Sequence, residues 1–568
     1  MKNRISYLSA VFSVSVFCSL FSVLCNAATY YVAATGNDSN PGTQTAPFRN
    51  IQKGAETIRG GDTMVIRAGT YYEQPRFSSR GSSATQPITI RAEDPGTVTV
   101  SGMWREAALG QVAWRDEGDG IYSISHADIP KFAAYESTFL HRYLLDDLKR
   151  GIADTTNAKV NLLRHGFAYE NGRVYVRLPQ DRNPNGQPVL LSASSDWGEW
   201  IIAFTNTPYV TIEGLRLEGA GSAGVRYDES SHHATIRNTV FAYCQVGAKL
   251  SHDSLIEWSE YLYPGFSDFS EQLRARNNNM YRTYALSKDY TNEFSYEGAI
   301  ATASHSPLSP TGCEFRYNYI HDAFDGEKLG VFQDSESHHN LYENNYDNHV
   351  ELEHYGGDRG PSSNLRLHHN LFRGVSNAPI SHQAAGIKGP QYVYRNVVIY
   401  DIPKLNKMGY SGNRVIKIDM PKENAGIFYY HNTILGDNRQ LLQTNRPGGK
   451  YFTFRNNVLI FANTSTRDTS YDSDYNLLVN IKDILLMRGD NGKYLGSESS
   501  ALQFIDGGAL NYGIQAGSPA QNVGVSLAGF NDDAPGGPDV GAFEVGDFSG
   551  PDWPRARTSQ QGYGSSDD

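Results

Sequence analysis

The chain has 568 residues and a formal charge of −11, with 61 acidic against 50 basic residues, 12% aromatics and four cysteines. No basic tract or arm interrupts that acidic balance, which leaves no electrostatic footprint for nucleic acid. Cys18 and Cys25 lie in the first 27 residues, and Cys244 and Cys313 alone cannot make the rest a disulfide-built scaffold.

In chain order, Lys2 and Arg4 precede the apolar run YLSAVFSVSVFCSLFSVLC, which ends in NAA. This predicts a signal peptide over residues 1–27, cleaved after about Ala27, and a secreted mature protein, periplasmic or extracellular, with no membrane anchor. Residues 28–100 read as an N-terminal cap and first coils. Within them NIQKGAETI, bounded by Pro47 and Gly60-Gly61, has helical spacing and is expected to plug an open end. Residues 101–190 contain WREAALGQVAWRDEGDGIYSI and GFAYENGRVYVRLP, which predict an inserted β-hairpin region. Residues 191–546 form the main body, with a long loop at about 251–312. That loop carries Trp258, Tyr261, Tyr263, Phe266, Tyr281, Tyr284, Tyr290 and Tyr296, and exposed aromatics there are expected to stack on sugar rings. Residues 547–568 lack a hydrophobic pattern and predict a disordered tail.

The main body repeats. Asn318, Asn344, Asn370 and Asn396 sit in RYNYI, YENNY, HHNLF and YRNVV at three gaps of 26 residues, and HHATIRNTV before them and YYHNTIL and FRNNVLI after them are spaced less regularly. Short strand-like runs with an Asn at one phase predict an all-β parallel β-helix, its coils stacked at about 4.8 Å and its Asn side chains forming a ladder. A propeller blade would need a longer period.

The opening TYYVAATGNDSNPGTQTAPFRNIQKGAETIRGGDTMVIRAGTYYE and the closing GSPAQNVGV and GGPDVGAFE carry a resemblance over most of the chain. They resemble secreted bacterial right-handed parallel β-helix proteins, which include polysaccharide lyases and β-helical glycoside hydrolases. The resemblance implies a pectate-lyase-like solenoid in a carbohydrate context. The same scaffold carries several chemistries.

In YENNYDNHVELEHYGG, residues 342–357, Val350 and Leu352 alternate with Glu351 and Glu353, so the aliphatics face the core and the acids face out. A 26-residue register places Asp325 and Glu327 opposite Glu351 and Glu353, a square of four carboxylates about 5–7 Å apart. Such a square needs compensation, either by Ca²⁺ on oxygen ligands, with Asn377 in reach, or by proton sharing as in glycosidases. His321, His349 and His354 flank it.

Between residues 388 and 422 lie Lys388, Arg395, Lys404, Lys407, Arg414, Lys417 and Lys422 against Asp401 and Asp419, a cradle suited to a polyanion. The resemblance implies a calcium-plus-base arrangement of the lyase type. Asp325, Glu327, Glu351 and Glu353 are the expected metal ligands. Lys388, His382 and His354 are base candidates, Arg395 a substrate-holding residue, and Glu351 and Glu353 the acid pair of the alternative chemistry. The leading expectation is a monomeric lyase cleaving an anionic, uronate-containing polysaccharide by β-elimination. A glycoside hydrolase, a C5-epimerase and a non-catalytic carbohydrate-binding β-helix are the alternatives.

Overall fold

Runs of three to six residues such as Val210–Glu213, Leu215–Glu218 and Ala223–Tyr227 alternate buried aliphatics with half-exposed polar residues, and turn residues bound them. Each is too short to bury its apolar face alone, so the runs stack with their equivalents in neighbouring coils. The computed structural model describes residues 27–546, except for connecting stretches of which the longest are 151–164, 193–199, 263–297, 303–309, 355–361, 401–413, 461–470 and 481–488, together with Trp553 and Pro554. Residues 1–26, which carry the expected leader, and Lys388, Lys404, Lys407, Lys422 and Asn377 lie outside the described residues. Within the described residues no helix is long and apolar enough to cross a membrane.

The strands form two thirteen-stranded sheets and one ten-stranded sheet, paired in parallel throughout, and the architecture is the expected parallel β-helix. One coil shows the plan: Leu341–Asn345 lies in one thirteen-stranded sheet, Asn348–His354 in the ten-stranded sheet, and Ser363–His368 in the other thirteen-stranded sheet. The interior is filled by aliphatics and by aromatic stacks such as Phe77–Phe204–Tyr227 and Tyr342–Phe372, with centroids 4.7 to 4.8 Å apart. Helix Ile51–Thr57 buries Ile51 and Ala55 in the main core at the N-terminal end. Two small antiparallel sheets occupy the region of the predicted hairpins, one built from Arg115–Gly118, Ile121–Ser125, Gly166–Glu170 and Arg173–Arg177. Cys244 and Cys313 are free buried thiols.

The ladder is real, but its register differs from the expected one. It runs Ser259, Asn318, Asn340, Asn370, Asn396, Asn432, Asn457, Asn476, each backbone N–H donating to the next side-chain oxygen at 2.8 to 3.1 Å. From Asn318 the steps are 22, 30, 26, 36, 25 and 19 residues, because the connections on both sides of the ten-stranded sheet vary in length. Asn344 is not a rung: the first two steps, 22 and 30, average to the apparent 26. The residue before each Asn adopts left-handed backbone, among them Tyr317, His339, His369, Arg395 and His431 with φ between 53° and 55°. A non-glycine residue there costs about 1 kcal/mol, which the paired asparagines offset. Ser259 holds the same phase, so Leu255–Glu257 and Glu260–Leu262 form a coil inside what reads as loop. Trp258 stacks on Tyr317 at 4.5 Å and Tyr261 is buried in the core, so neither is a loop aromatic presented to a ligand. Residues 263–297, with the other expected aromatics, lie outside the described residues. Trp553, in the predicted tail, is docked: its indole N–H donates to the His369 carbonyl at 2.8 Å and its ring packs on Phe543.

Candidate active site

The site lies on the outer face of the ten-stranded sheet, on four successive strands: β1 (Asp325–Lys328), β2 (Asn348–His354), β3 (Ala378–Ala384) and β4 (Arg414–Asp419). Each enters the sheet at a corner, and two consecutive residues turn inward there. Thus Asp325 and Lys328 share the outer face, while Gly326 and Glu327 lie between them on the inner one. Gly326 is required, since a Cβ would collide with the His349 carbonyl of the next coil.

The true register places Asp325 opposite Asn348, Glu327 opposite Val350 and Lys328 opposite Glu351. The expected carboxylate square is therefore absent. Its replacement is a buried quartet. Lys328 Nζ lies 2.8 Å from Glu351 Oε2 and 3.4 Å from Asp325 Oδ2. Asn348 Nδ2 donates to Glu351 Oε1 at 3.0 Å and to Asp325 Oδ1 at 3.3 Å. Asp325, Asn348 and Glu351 are buried, and Asn348 Oδ1 has no hydrogen-bond partner among the described residues.

Glu327 belongs elsewhere. It faces the interior, where Oε2 accepts from Ser337 Oγ at 2.8 Å and Oε1 is without a partner among the described residues. Burial pushes its carboxyl up to about 7, against the opposing hydrogen bonds from Ser337 and Tyr342. The unfolded chain ionises near the ordinary 4.5, so between about 4.5 and about 7 the unfolded state sheds this proton first and stability falls as pH rises. Glu327→Gln should lack that slope. Its stability relative to wild type should climb by on the order of 3 kcal/mol from about pH 4.5 to about pH 7, read from denaturant midpoints. A difference that stays constant over that range would contradict the assignment.

The remaining expected residues are dispersed. His382 is buried in the interior, Nδ1 against Gln391 Oε1 at 2.9 Å and Nε2 against Tyr429 OH at 2.8 Å, as a core histidine. Arg395 lies in the ladder turn and pairs with Glu544 at 2.8 Å, which ties the C-terminal segment down. Glu353 and His354 end β2 in register with Gln383 and Ala384; their side chains lie outside the described residues. His349 is interior, and burial pushes its imidazole down to about 3. His321 is on a thirteen-stranded sheet; burial opposes its charge, but hydrogen bonds to Asp322 and Glu260 carry it up to about 9.

Sequence reasoning missed Lys328 and Asn348, the two residues that join the acids. It named Arg414 and Lys417 within the basic cradle but missed the cations that precede the quartet on the same face. Arg76 is in register with Ala203, then come Arg226, Lys249, Ala301, Lys328, Glu351, Ser381 and Lys417 along one row. Arg414 starts β4 on the same face. Trp200 lies between two of these cations, 4.4 Å from the Arg226 guanidinium carbon and 5.6 Å from that of Arg76. The signal was present as basic residues at one phase of successive coils, but reading it needed the register.

No family model matches the chain. A stretch of 91 residues, 16% of this chain, is 33% identical to pectate lyase PEL9 of Emericella nidulans. The two curated relatives that the chain matches are covered over only 15% and 22% of their own length. Among solved structures the chain is similar to XylC in its complex with xylose, at 14% identity over 77% of this chain and 70% of that one, with a TM-score of 0.45. It is also similar to pectate lyase Pel9A, at 13% identity over 91% and 96%, with a TM-score of 0.41.

Proposed function

We propose that the protein is a secreted polysaccharide lyase acting on an anionic, uronate-containing glycan bound along the outer face of the ten-stranded sheet. One observation carries this reading: Arg76, Arg226, Lys249, Lys328 and Lys417 recur along one row of the face, with Ala203, Ala301, Glu351 and Ser381 at the intervening positions, Arg414 on the strand of Lys417 and Asp325 paired with Lys328. A chain bearing one carboxylate per sugar is complementary to the row, and the acid-lysine quartet is the reacting centre.

β-Elimination needs the substrate carboxylate neutralised, the adjacent acidic proton removed and the leaving oxygen protonated. Arg226, Lys249, Arg414 and Lys417 supply positive charge to the carboxylates. Asp325 and Glu351 are hard oxygen donors of the kind Ca²⁺ takes, and an ion held by them would displace the Lys328 ammonium and the Asn348 amide nitrogen that now bridge the two acids. When bound, such an ion would neutralise the carboxylate at the reacting sugar. Lys328 is the basic nitrogen of the centre, and we assign it the proton abstraction.

A second reading rests on the same quartet. Asp325 and Glu351 touch one ammonium and one amide, so the two carboxyls lie within about 6 Å of each other, close to the separation of a retaining glycosidase. Products separate the two. With a panel of uronate glycans, elimination gives an unsaturated sugar that absorbs in the near ultraviolet, and EDTA should abolish the rise. New reducing ends without that absorbance would overturn the lyase reading in favour of the hydrolase.

A further inference from the structure

A second constellation lies on the outer face of the thirteen-stranded sheet that precedes the ladder turn, away from the ten-stranded sheet. Glu314 and Glu336 are in register on adjacent strands, and two residues further on the same face Arg316, His338 and His368 form the next row. His338 Nε2 is 3.0 Å from Glu314 Oε1, and His368 Nε2 is 3.3 Å from Glu336 Oε2. The two imidazoles stack at 4.7 Å with planes 4° apart. Ligand atoms of Glu314, Glu336 and His338 all lie within 4.8 Å of one another.

We propose that Glu314, Glu336 and His338 bind a zinc-class transition-metal ion, with His368 stacked beside them as a fourth donor. Zinc takes imidazole nitrogen and carboxylate oxygen at about 2.0–2.2 Å, and small side-chain rotations bring this set to that range. The imidazole separates the site from the all-oxygen donor set of the groove, which suits calcium.

The surroundings support the set. His338 Nδ1 lies 2.7 Å from His339 Nδ1, and His368 Nδ1 lies 2.8 Å from His369 Nδ1. Each partner ring can donate or accept, so His338 and His368 can shift the proton to Nδ1 and present Nε2 to a metal without losing that hydrogen bond. Two cations border the site: Arg316 Nη1, 2.7 Å from Glu314 Oε1 and also bound to Glu257, and Arg366, in register with Glu336. Arg316 is shared between two acids, so it orients Glu314 without cancelling the charge of the site. The Glu336 side chain is 40% exposed, which leaves a path for the ion.

The test is calorimetric titration of chelator-stripped full-length protein with Zn²⁺ alone, repeated with Co²⁺ and its visible absorption. The expected result is one saturable site that persists in Glu351→Gln and weakens at least tenfold in both Glu336→Gln and His338→Gln, whose melting in chelator matches wild type. Glu336→Gln, at a half-exposed position, keeps the test decisive if His338→Gln folds poorly. No saturable binding, binding unchanged in Glu336→Gln, or binding lost in Glu351→Gln would each overturn the proposal.

Discussion

Glu351→Gln should lower turnover about a thousandfold, within the range that a positioned acid–base or charge-stabilising group supplies. The side chain keeps its shape and its acceptor toward Asn348, but the charge that holds Lys328 in place is gone. Breaking a buried ion pair can also cost stability, on the order of 3–5 kcal/mol. The double variant Glu351→Gln with Lys328→Met also strips the ammonium from the buried Asp325, so it should be no more stable than Glu351→Gln and should stay inactive. Arg226→Ala, remote from the quartet, should raise KM about tenfold and leave kcat nearly unchanged. Steady-state kinetics beside thermal melts check all three. Wild-type turnover in Glu351→Gln would remove the quartet from the chemistry.

The second large effect is on the fold. Asn370→Ala should cost about 4 kcal/mol, because one side chain serves two coils. It donates to the Ser337 carbonyl at 3.0 Å and to Asn396 Oδ1 at 3.1 Å, and it accepts from the backbone and side chain of Asn340 at 2.9 and 3.1 Å. All of these groups are buried, so water cannot replace the lost partner. Asn344→Gly should change stability by no more than about 0.5 kcal/mol, because its left-handed backbone suits glycine and it makes none of the ladder bonds. Denaturant titration of the two variants discriminates the observed register from a regular 26-residue one. A larger loss in Asn344→Gly than in Asn370→Ala would contradict the ladder.

Those two asparagines show how much was legible in the sequence. The solenoid was readable, because an Asn at one phase of short alternating strands has few other physical uses. Val350 and Leu352 in the core with Glu351 outside followed from the period of two alone. The register was not readable. Connections at the corners on either side of the ten-stranded sheet add or remove residues without disturbing the ladder, so the steps vary while the stacking is constant. The carboxylate square inherited that error in its pairing of strands, and Glu327 was placed beside Asp325 because the period of two breaks at the corner, where it points into the core. The site was half legible: Asp325 and Glu351 were found, and Lys328 was passed over because it is a single basic residue in DGEKLG. Lysine joins the acids only through the corner that turns two consecutive residues inward, a feature no periodicity announces. His382 looked like an exposed turn residue because Gly and Pro follow it, but Gln391 and Tyr429 claim both its nitrogens.

The claim at the centre of this account is that the outer face of the ten-stranded sheet is where the glycan reacts. The most direct measurement is a crystal structure of Glu351→Gln soaked with an oligouronate. The account predicts sugars running across successive strands, carboxylates on Arg226, Lys249 and Lys417, and one ring over Lys328 and Asp325. An oligouronate bound on either thirteen-stranded sheet, with the quartet uncovered, would contradict it.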